Sequence, residues 1–196
     1  PGDDVDGRDA CRKIAILSSL CFGRHVYPQN IPTRGIRDIT VQDVQAAEKL
    51  DCAIKLIVWS RKNKDGSIAA AVEPMLVPFG NQLAGVDDVF NAVLVKGDML
   101  GDVVFYGKGA GKLPTASAVV SDMIDAAAMN DTCTFLYWED NAENPVVSAS
   151  EAVHSYYMLF DTKEADKLLA AAKEQLGAVT VLSRENQPEN EIAFMT

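Results

Sequence analysis

The chain has 196 residues, 48% of them hydrophobic, which suffices for one core or for a core and a small second domain. The formal net charge of −10 argues against nucleic acid and anionic membrane as partners. No apolar run approaches the roughly 18 residues that cross a bilayer and no signal peptide precedes the fold, so we expect a cytoplasmic protein.

The four cysteines are scattered without a C-x-x-C pair, and the chain has only two histidines. We therefore expect no metal site and reduced thiols. Cys11 and Cys21 fall within an apolar helical pattern, where we expect both to pack as small hydrophobic side chains.

The first predicted helix covers residues 9–20 and follows the acids Asp3, Asp4 and Asp6. Its apolar positions repeat at helical spacing: Ala10, Ile14, Leu17 and Leu20. Asp9 and Lys13 are four residues apart, which places them one turn apart on the same face. Two interpretations remain open. The pair is either an ordinary surface ion pair, or a lysine held beside carboxylates at a pocket edge, where it can relay a proton.

The next elements alternate between helix and strand. A Pro-containing loop covers residues 27–33, and Thr40 is positioned to cap a helix over residues 41–50. Strands are predicted over residues 53–60 and 67–78, with a turn at 64–66 between them. Arg34 and Arg37 lie shortly before the helix predicted over residues 41–50. The pattern leaves open whether they pair with Asp38 or with residues across a subunit interface.

A glycine-rich loop joins two further strands, at residues 90–96 and 102–106, to a helix predicted over 114–129. Gly107, Gly109 and Gly111 alternate before Pro114 and Thr115. Such a loop exposes backbone N–H groups at a helix N-terminus, which suits a phosphate or another anion. A plain helix entry with a glycine turn explains the same pattern.

The character of the chain changes near residue 130. Residues 1–119 carry 14 Lys and Arg and 14 Asp and Glu, whereas residues 120–196 carry 4 and 14. We read residues 131–152 as a linker, followed by a βαββ order with strands at 156–160, 179–183 and 191–195 and a helix at 163–176. The fold class expected is α+β, a mixed sheet covered by helices on one side and followed by a small, incomplete module.

Four segments, in order, resemble the homoserine dehydrogenase family. DVDGRDACRKIAILSSLCFG (residues 4–23) is similar to that family's D-V-x-G-x-D-A-x-x-K signature. GIRDIT (35–40) and IKLI (54–57) are similar to its next block, and NQLAGVDDVFNAVLVKGDMLGDVVFYGKGAGKLPTASAVVSDMID (81–125) to its long C-terminal block. The resemblance assigns residues 1–130 to the substrate-binding and dimerisation domain, and residues 153–196 resemble the start of an ACT domain, a ferredoxin-like regulatory module.

The resemblance implies an activity and a site. The family interconverts L-homoserine and L-aspartate 4-semialdehyde with NADP or NAD, in threonine, methionine and isoleucine biosynthesis. Lys13 matches its catalytic lysine, and Asp9 and Asp4 match acids that hold the substrate. Gly111 matches a glycine against the cofactor, with Gly109 and Thr115 shaping that contact, whereas Asp3 and Asp6 are expected to face solvent. A homodimer through the sheet is also implied, together with a possible amino-acid effector at the ACT-like module.

The family's nucleotide-binding Rossmann half, with its G-x-G-x-x-G loop, has no counterpart in this sequence. We therefore expect the chain to be a fragment that does not transfer hydride alone. The alternative is a non-catalytic dimerisation or amino-acid-sensing fragment, in which only the sheet and the tail matter. In place of the Pro-Gly that follows the first ACT strand, this chain has Thr162, Lys163 and Glu164, which weakens the expectation of an effector.

Overall fold

The computed structural model describes residues 2–129, 138–140, 143–147, 155–183 and 187–196. Its helices are α1 (Gly2–Val5), α2 (Arg8–Phe22), α3 (Val41–Lys49), α4 (Lys112–Ala128) and α5 (Ala165–Leu176), with a 3₁₀ turn at Pro28–Asn30. Its strands are β1 (Cys52–Lys62), β2 (Ile68–Pro78), β3 (Phe90–Gly97), β4 (Gly101–Lys108), β5 (Val146–Val147), β6 (Tyr157–Asp161), β7 (Thr180–Leu182) and β8 (Glu191–Met195).

The main sheet has the order β1-β2-β5 and is mixed, as expected. β1 and β2 form a long antiparallel hairpin in which Val58 lies opposite Val72, and β5 runs parallel to β2. Helices α2 and α3 both pack against β1. The core joins α2, β2 and β5 through buried side chains: Cys11, Ala15, Val26, Ile31, Ile68, Ala70, Val72 and Val146. A closely packed layer therefore lies directly beneath α2.

Helix α2 confirms the first predicted helix and extends it at both ends. Gly7 and Gly23 flank it with φ angles of 77° and 71°, a conformation that favours glycine, and the Gly23 N–H closes the last turn onto Ser19 O. The hydroxyl of Ser19, which is buried, also accepts a 2.9 Å bond from Val26 N. The helix end and the chain that leaves it are thereby held together.

Helix α3 confirms the predicted cap. Thr40 and Asp43 form a capping box, in which each side chain accepts a hydrogen bond from the other residue's backbone N–H. Asp43 is 8% exposed. The sequence signal for the start of this helix was local and unambiguous.

Three expectations differ from the structure. β3 and β4 pair only with each other, so they form a separate two-stranded sheet among the described residues. Helix α4, whose sequence has an apolar side, has no buried residue, because no described element covers it. Cys21 is exposed, since it lies on the solvent side of α2 while Cys11 faces the sheet.

The segment read as a linker, residues 131–152, pairs with the main body at its described positions. Val146 is 8% exposed, and β5 lies alongside Ile68 and Ala69. The backbone of Glu139 forms an isolated parallel β-bridge with the backbone of Arg24. The rest of that segment lies outside the described residues, and the domain boundaries stay a prediction.

The C-terminal elements have the predicted βαββ order. β8 lies between β6 and β7 and is antiparallel to both, with α5 crossing from β6 to β7. Phe194 is 1% exposed, and it stacks on Phe160 with ring centroids 5.6 Å apart.

Among the described residues, no helix combines the length and the apolar character needed to cross a membrane.

Candidate active site

Asp9 and Lys13 form an ion pair on the outer face of α2. The Lys13 Nζ to Asp9 Oδ2 distance is 2.7 Å, and the two side chains are 64% and 44% exposed, respectively. Cys11 and Ala15, on the opposite face of the same helix, are buried against the sheet. The orientation of α2 is therefore set by its packing, and the ion pair faces away from the core.

Asp4 lies on α1, the short helix immediately before α2. The carbonyl oxygen of Asp4 accepts a 3.2 Å bond from Gly7 N, and Cys11 N donates to Gly7 O at 2.9 Å. Gly7 is thus the joint between the two helices. This geometry brings Asp4, Asp9 and Lys13 onto adjacent turns of one continuous segment.

The acids flanking Asp4 are paired with arginines. Asp3 lies 3.4 Å from both Arg8 Nη1 and Arg12 Nη1. The Asp6 side chain is only 28% exposed; its Oδ1 accepts a hydrogen bond from Arg37 Nε at 2.9 Å and lies 2.8 Å from Arg37 Nη2 in an ion pair. The expectation that Asp6 faces solvent is wrong, because a loop 30 residues further along the chain folds over it.

An open depression of about 400 Å³ lies beside this joint. Its lining combines acids, arginines and loop backbone: Asp6, Arg8, Thr33, Arg34, Gly35, Arg37 and Asp38. Lys13 is not part of this lining. The depression and the Asp9–Lys13 pair are therefore separate features of one surface.

The glycine loop precedes α4 as expected, but the helix begins at Lys112, two residues before Pro114. Gly111 is the residue before the first turn, with a φ of 126° that strains any other residue. A Cβ at Gly109 would lie 2.7 Å from Cγ of Asn91. Thr115 lies in the second turn, with its N–H bonded to Gly111 O.

The N-terminus of α4 retains free capacity for an anion. It has no side-chain cap, and its first turn carries no acid. A Cβ at Gly107 would meet nothing within 4 Å, so the loop is open on that side. These features fit a contact with a negatively charged group of a cofactor.

The glycine loop and the ion pair are on different elements. Within residues 2–129, Lys13 bonds to Asp9 and makes no bond to the glycine loop. The described residues contain no group of three or more His, Cys, Asp or Glu side chains that could hold a metal ion. The chemistry available here is proton transfer by an ammonium group and hydrogen bonding by carboxylates.

The sequence analysis left Asp38 or a subunit interface as the partner of Arg37, whereas the structure pairs Arg37 with Asp6, and the close approach of Gly35 was not predicted. A Cβ at Gly35 would lie 2.6 Å from Cα of Asp6 and would overlap the carbonyl oxygen of Val5. The only available signal was the glycine inside GIRDIT, which has no local turn requirement that would single it out.

Comparison with known proteins identifies the family. A family model described as homoserine dehydrogenase matches residues 1–124. A homoserine dehydrogenase of Synechocystis sp. is 41% identical over 160 residues, which are 80% of this chain and 35% of that protein. The chain therefore spans about a third of the length of this relative.

Solved structures show the same likeness. A crystal structure of a homoserine dehydrogenase from Thiobacillus denitrificans matches 100% of this chain and 46% of its own, with a TM-score of 0.82 at 30% identity. A hyperthermophilic archaeal homoserine dehydrogenase in complex with NADPH matches 69% of this chain and 36% of its own, with a TM-score of 0.53 at 28% identity. The matched family segment includes both the Asp9–Lys13 pair and the glycine loop, and the chain belongs to the homoserine dehydrogenase family.

Proposed function

We propose that this chain supplies the substrate-binding part of an oxidoreductase that interconverts L-homoserine and L-aspartate 4-semialdehyde. The observation that carries the proposal is the Asp9–Lys13 pair, at 2.7 Å, on a helix within the family match. The reaction belongs to the biosynthesis of threonine, methionine and isoleucine, a cytoplasmic process.

Lys13 donates the proton in the reducing direction. As the aldehyde carbon is reduced, negative charge develops on its oxygen, and a nearby ammonium that gives up a proton removes that charge. In the oxidising direction, the neutral amine accepts the hydroxyl proton of homoserine. Proton transfer of this kind contributes roughly 10²–10⁴ in rate.

Asp9 and Asp4 hold the reacting groups in place. The Asp9 carboxylate accepts one N–H of the Lys13 ammonium and fixes its direction, which leaves the other two donors for the substrate. Asp4, on the turn before α2, binds a polar group of the amino acid. Both acids come from the segment that Gly7 joins, so their spacing is set by backbone geometry.

A nicotinamide dinucleotide, NADP or NAD, supplies the hydride when it is bound. Gly111 and Gly109 allow its close approach to the loop, and Thr115 lies one turn further along α4. The archaeal relative with NADPH supports this cofactor class. The match covers 35% of the Synechocystis relative, so we expect the remaining cofactor contacts to come from the part of the family fold that these 196 residues do not match, and these residues alone to be inactive.

We further propose a homodimer through the sheet. Val93, Val95 and Phe105 project from one face of the β3–β4 hairpin, since Val93 lies directly opposite Phe105. They are 42%, 44% and 65% exposed. An exposed apolar face of this kind is typical of an interface.

The C-terminal elements support a second candidate role, a dimerisation or amino-acid-sensing fragment without catalysis. The order β6-β8-β7 with a crossing helix is that of the first four elements of a ferredoxin-like, ACT-like module. An amino acid is the effector that such a module would take.

Replacement of Lys13 by Ala in the complete enzyme separates the two roles. We expect kcat to fall by roughly 10²–10⁴ while the dimer, measured by size-exclusion chromatography with light scattering, is unchanged. Lys62→Ala is the matched control, an exposed lysine at the end of β1. Unchanged turnover in Lys13→Ala would remove this residue from the chemistry and favour the non-catalytic role.

A binding titration tests whether these 196 residues hold the cofactor by themselves. We expect NADPH added to the 196-residue chain to give no saturable binding by calorimetry at micromolar protein, because the glycine loop alone contacts one part of a large ligand. Tight binding would contradict the expectation that most cofactor contacts lie outside these residues.

A further inference from the structure

We propose that Gly35 and Arg37 are positioning residues for the substrate acids, acting through the turn that connects α1 to α2. The inference rests on the proposed function, because it takes Asp4 and Asp9 as substrate-binding groups. It assigns a role to residues 33–37. Within residues 2–129, this loop makes no hydrogen bond or ion pair with Asp9 or Lys13.

The first step is a backbone clasp. Ile36 N donates a 2.9 Å hydrogen bond to Val5 O, which closes the loop onto the end of α1. Gly35 makes this approach possible, since a Cβ there would lie 2.6 Å and 2.9 Å from Cα and C of Asp6. These are backbone atoms that no rotamer change can move, so only glycine fits.

The second step is electrostatic. Arg37 Nε donates a hydrogen bond to Asp6 Oδ1, and Arg37 Nη2 forms an ion pair with the same oxygen at 2.8 Å. Arg8 Nη2 lies 3.6 Å from the other carboxylate oxygen. Asp6 is the second residue after Asp4 and the third before Asp9. Because Asp6 lies between Asp4 and Asp9 in the chain, holding its side chain also holds the turn that sets the relative position of these two acids.

The third step is an anchor in the core. Arg34 N donates to Val72 O at 2.7 Å, and Val72 N donates to Pro32 O at 2.9 Å, so the loop is bonded to the centre of β2. Val72 is 1% exposed. A Cβ at Gly7 would meet Val72 Cγ1 at 3.0 Å, so the helix joint packs on the same residue.

These contacts form one path from the core to the acids. The rigid hairpin holds the loop, the loop holds the turn at residues 5–7, and the turn sets the spacing between Asp4 and the start of α2. Substrate groups must be placed to within a fraction of an ångström, and a displacement of about 1 Å can cost about 100-fold in rate.

Gly35→Ala in the complete enzyme tests the steric step. The added methyl group must push the loop away from the turn, and we expect kcat/KM for homoserine to fall by about 100-fold. Gly80→Ala is the matched control, because a Cβ at Gly80 meets nothing within 4 Å. Equal activity of the two variants would overturn the steric step.

Arg37→Gln tests the electrostatic step and keeps the proposal falsifiable if Gly35→Ala fails to fold. Because Arg37 is 63% exposed, the expected effect is modest: a three- to fivefold increase in KM for homoserine, with the KM for the dinucleotide unchanged and kcat reduced less than twofold. Arg37→Lys, which retains a positive charge, should recover part of the loss. Arg61→Gln, at an exposed arginine on β1, is the control.

The outcomes separate this proposal from the proposed function. If Lys13→Ala abolishes turnover while Arg37→Gln behaves like Arg61→Gln, the positioning role is wrong and the catalytic assignment stands. If Lys13→Ala retains full turnover, the proposed function itself fails. A loss of folded protein in Arg37→Gln, measured by circular dichroism, with unchanged KM in the folded fraction, would make Arg37 purely structural and overturn its positioning role.

Discussion

The hydroxyl of Tyr157 donates a 3.0 Å hydrogen bond to Asp43 Oδ1, although 114 residues separate the two in the chain. The other oxygen of the same carboxylate accepts bonds from Thr40 N and Thr40 Oγ1, at 2.8 and 2.7 Å. A strand of the C-terminal module therefore binds the same carboxylate that caps α3. At the other end of α3, Lys49 Nζ donates to Ser183 O at 2.7 Å.

Tyr157→Phe should loosen the attachment of β6 to α3. The change leaves Asp43, which is 8% exposed, without one of its donors, and we expect a loss of about 1–3 kcal/mol in the local stability of β6. Hydrogen exchange of the β6 amides in the complete protein measures the loss. Tyr106→Phe, on the exposed β4, is the control, and equal protection in both variants would contradict the prediction.

Asp9→Asn should separate catalysis from stability. The ion pair is exposed and spans one helical turn, so its removal should cost only about 0.3–0.5 kcal/mol in unfolding free energy. Turnover should fall at least about tenfold, because Lys13 loses the group that directs it. Urea unfolding and steady-state kinetics provide the two measurements.

The control for Asp9→Asn is Glu164→Gln. Lys167 and Glu164 form an ion pair of similar length, 2.8 Å, and their side chains are 77% and 65% exposed. Its removal should alter stability by a comparable small amount and leave kcat unchanged. A fall in kcat of the same size in both variants would show that the loss in Asp9→Asn is not specific to the site.

Gly111→Ala should weaken the dinucleotide contact. The backbone at this position has a φ of 126°, which costs a residue with a Cβ about 1–3 kcal/mol, and relief of that strain would turn the loop away from the start of α4. We expect KM for the dinucleotide to rise about tenfold or more, with little change in KM for homoserine. Gly85→Ala, where a Cβ meets nothing within 4 Å, is the control, and an equal KM in both would contradict the assignment.

Tyr27 should have a pKa above its ordinary value. Its hydroxyl donates to Asp140, and this hydrogen bond, with smaller effects of desolvation and of the negative charge, raises the pKa of Tyr27 above 10.0. Because the folded-state pKa is raised, the stabilisation is complete below the unfolded value near pH 10 and is lost as pH rises through the folded value. The difference in absorbance near 295 nm between the native chain and Tyr27→Phe isolates this titration. A midpoint at or below about 10 would show that the pair does not form.

Local patterns were sufficient for most elements of the fold. The cap at Thr40, the turn at residues 64–66 and the strand-forming residues on either side of that turn depend on neighbours within a few residues, and the structure confirms the helix and strands that follow from them. The same applies to the Asp9–Lys13 contact, since helical spacing alone places the two side chains together.

Long-range contacts were outside the reach of such patterns. The pairing of β5 with β2 assigns a strand to a segment rich in turn-forming residues, because the main sheet has an open edge there. The exposure of α4 is a second case: its apolar side indicates burial, but a helix is buried only if another element lies against it, and none of the described elements does.

The amino-acid sequence by itself determined the order of most of the elements, the resemblance to the family, and the helix on which the lysine and its carboxylate partner lie, because each of these follows from residue types at characteristic spacing. Only the tertiary structure decided that Gly35 and Arg37 close over the Val5–Asp6 turn and that Tyr157 binds the carboxylate that caps α3. Those contacts depend on how the sheet places distant segments of the backbone next to each other. A hydrogen bond between residues so far apart in the chain has no local sequence pattern from which it could be predicted.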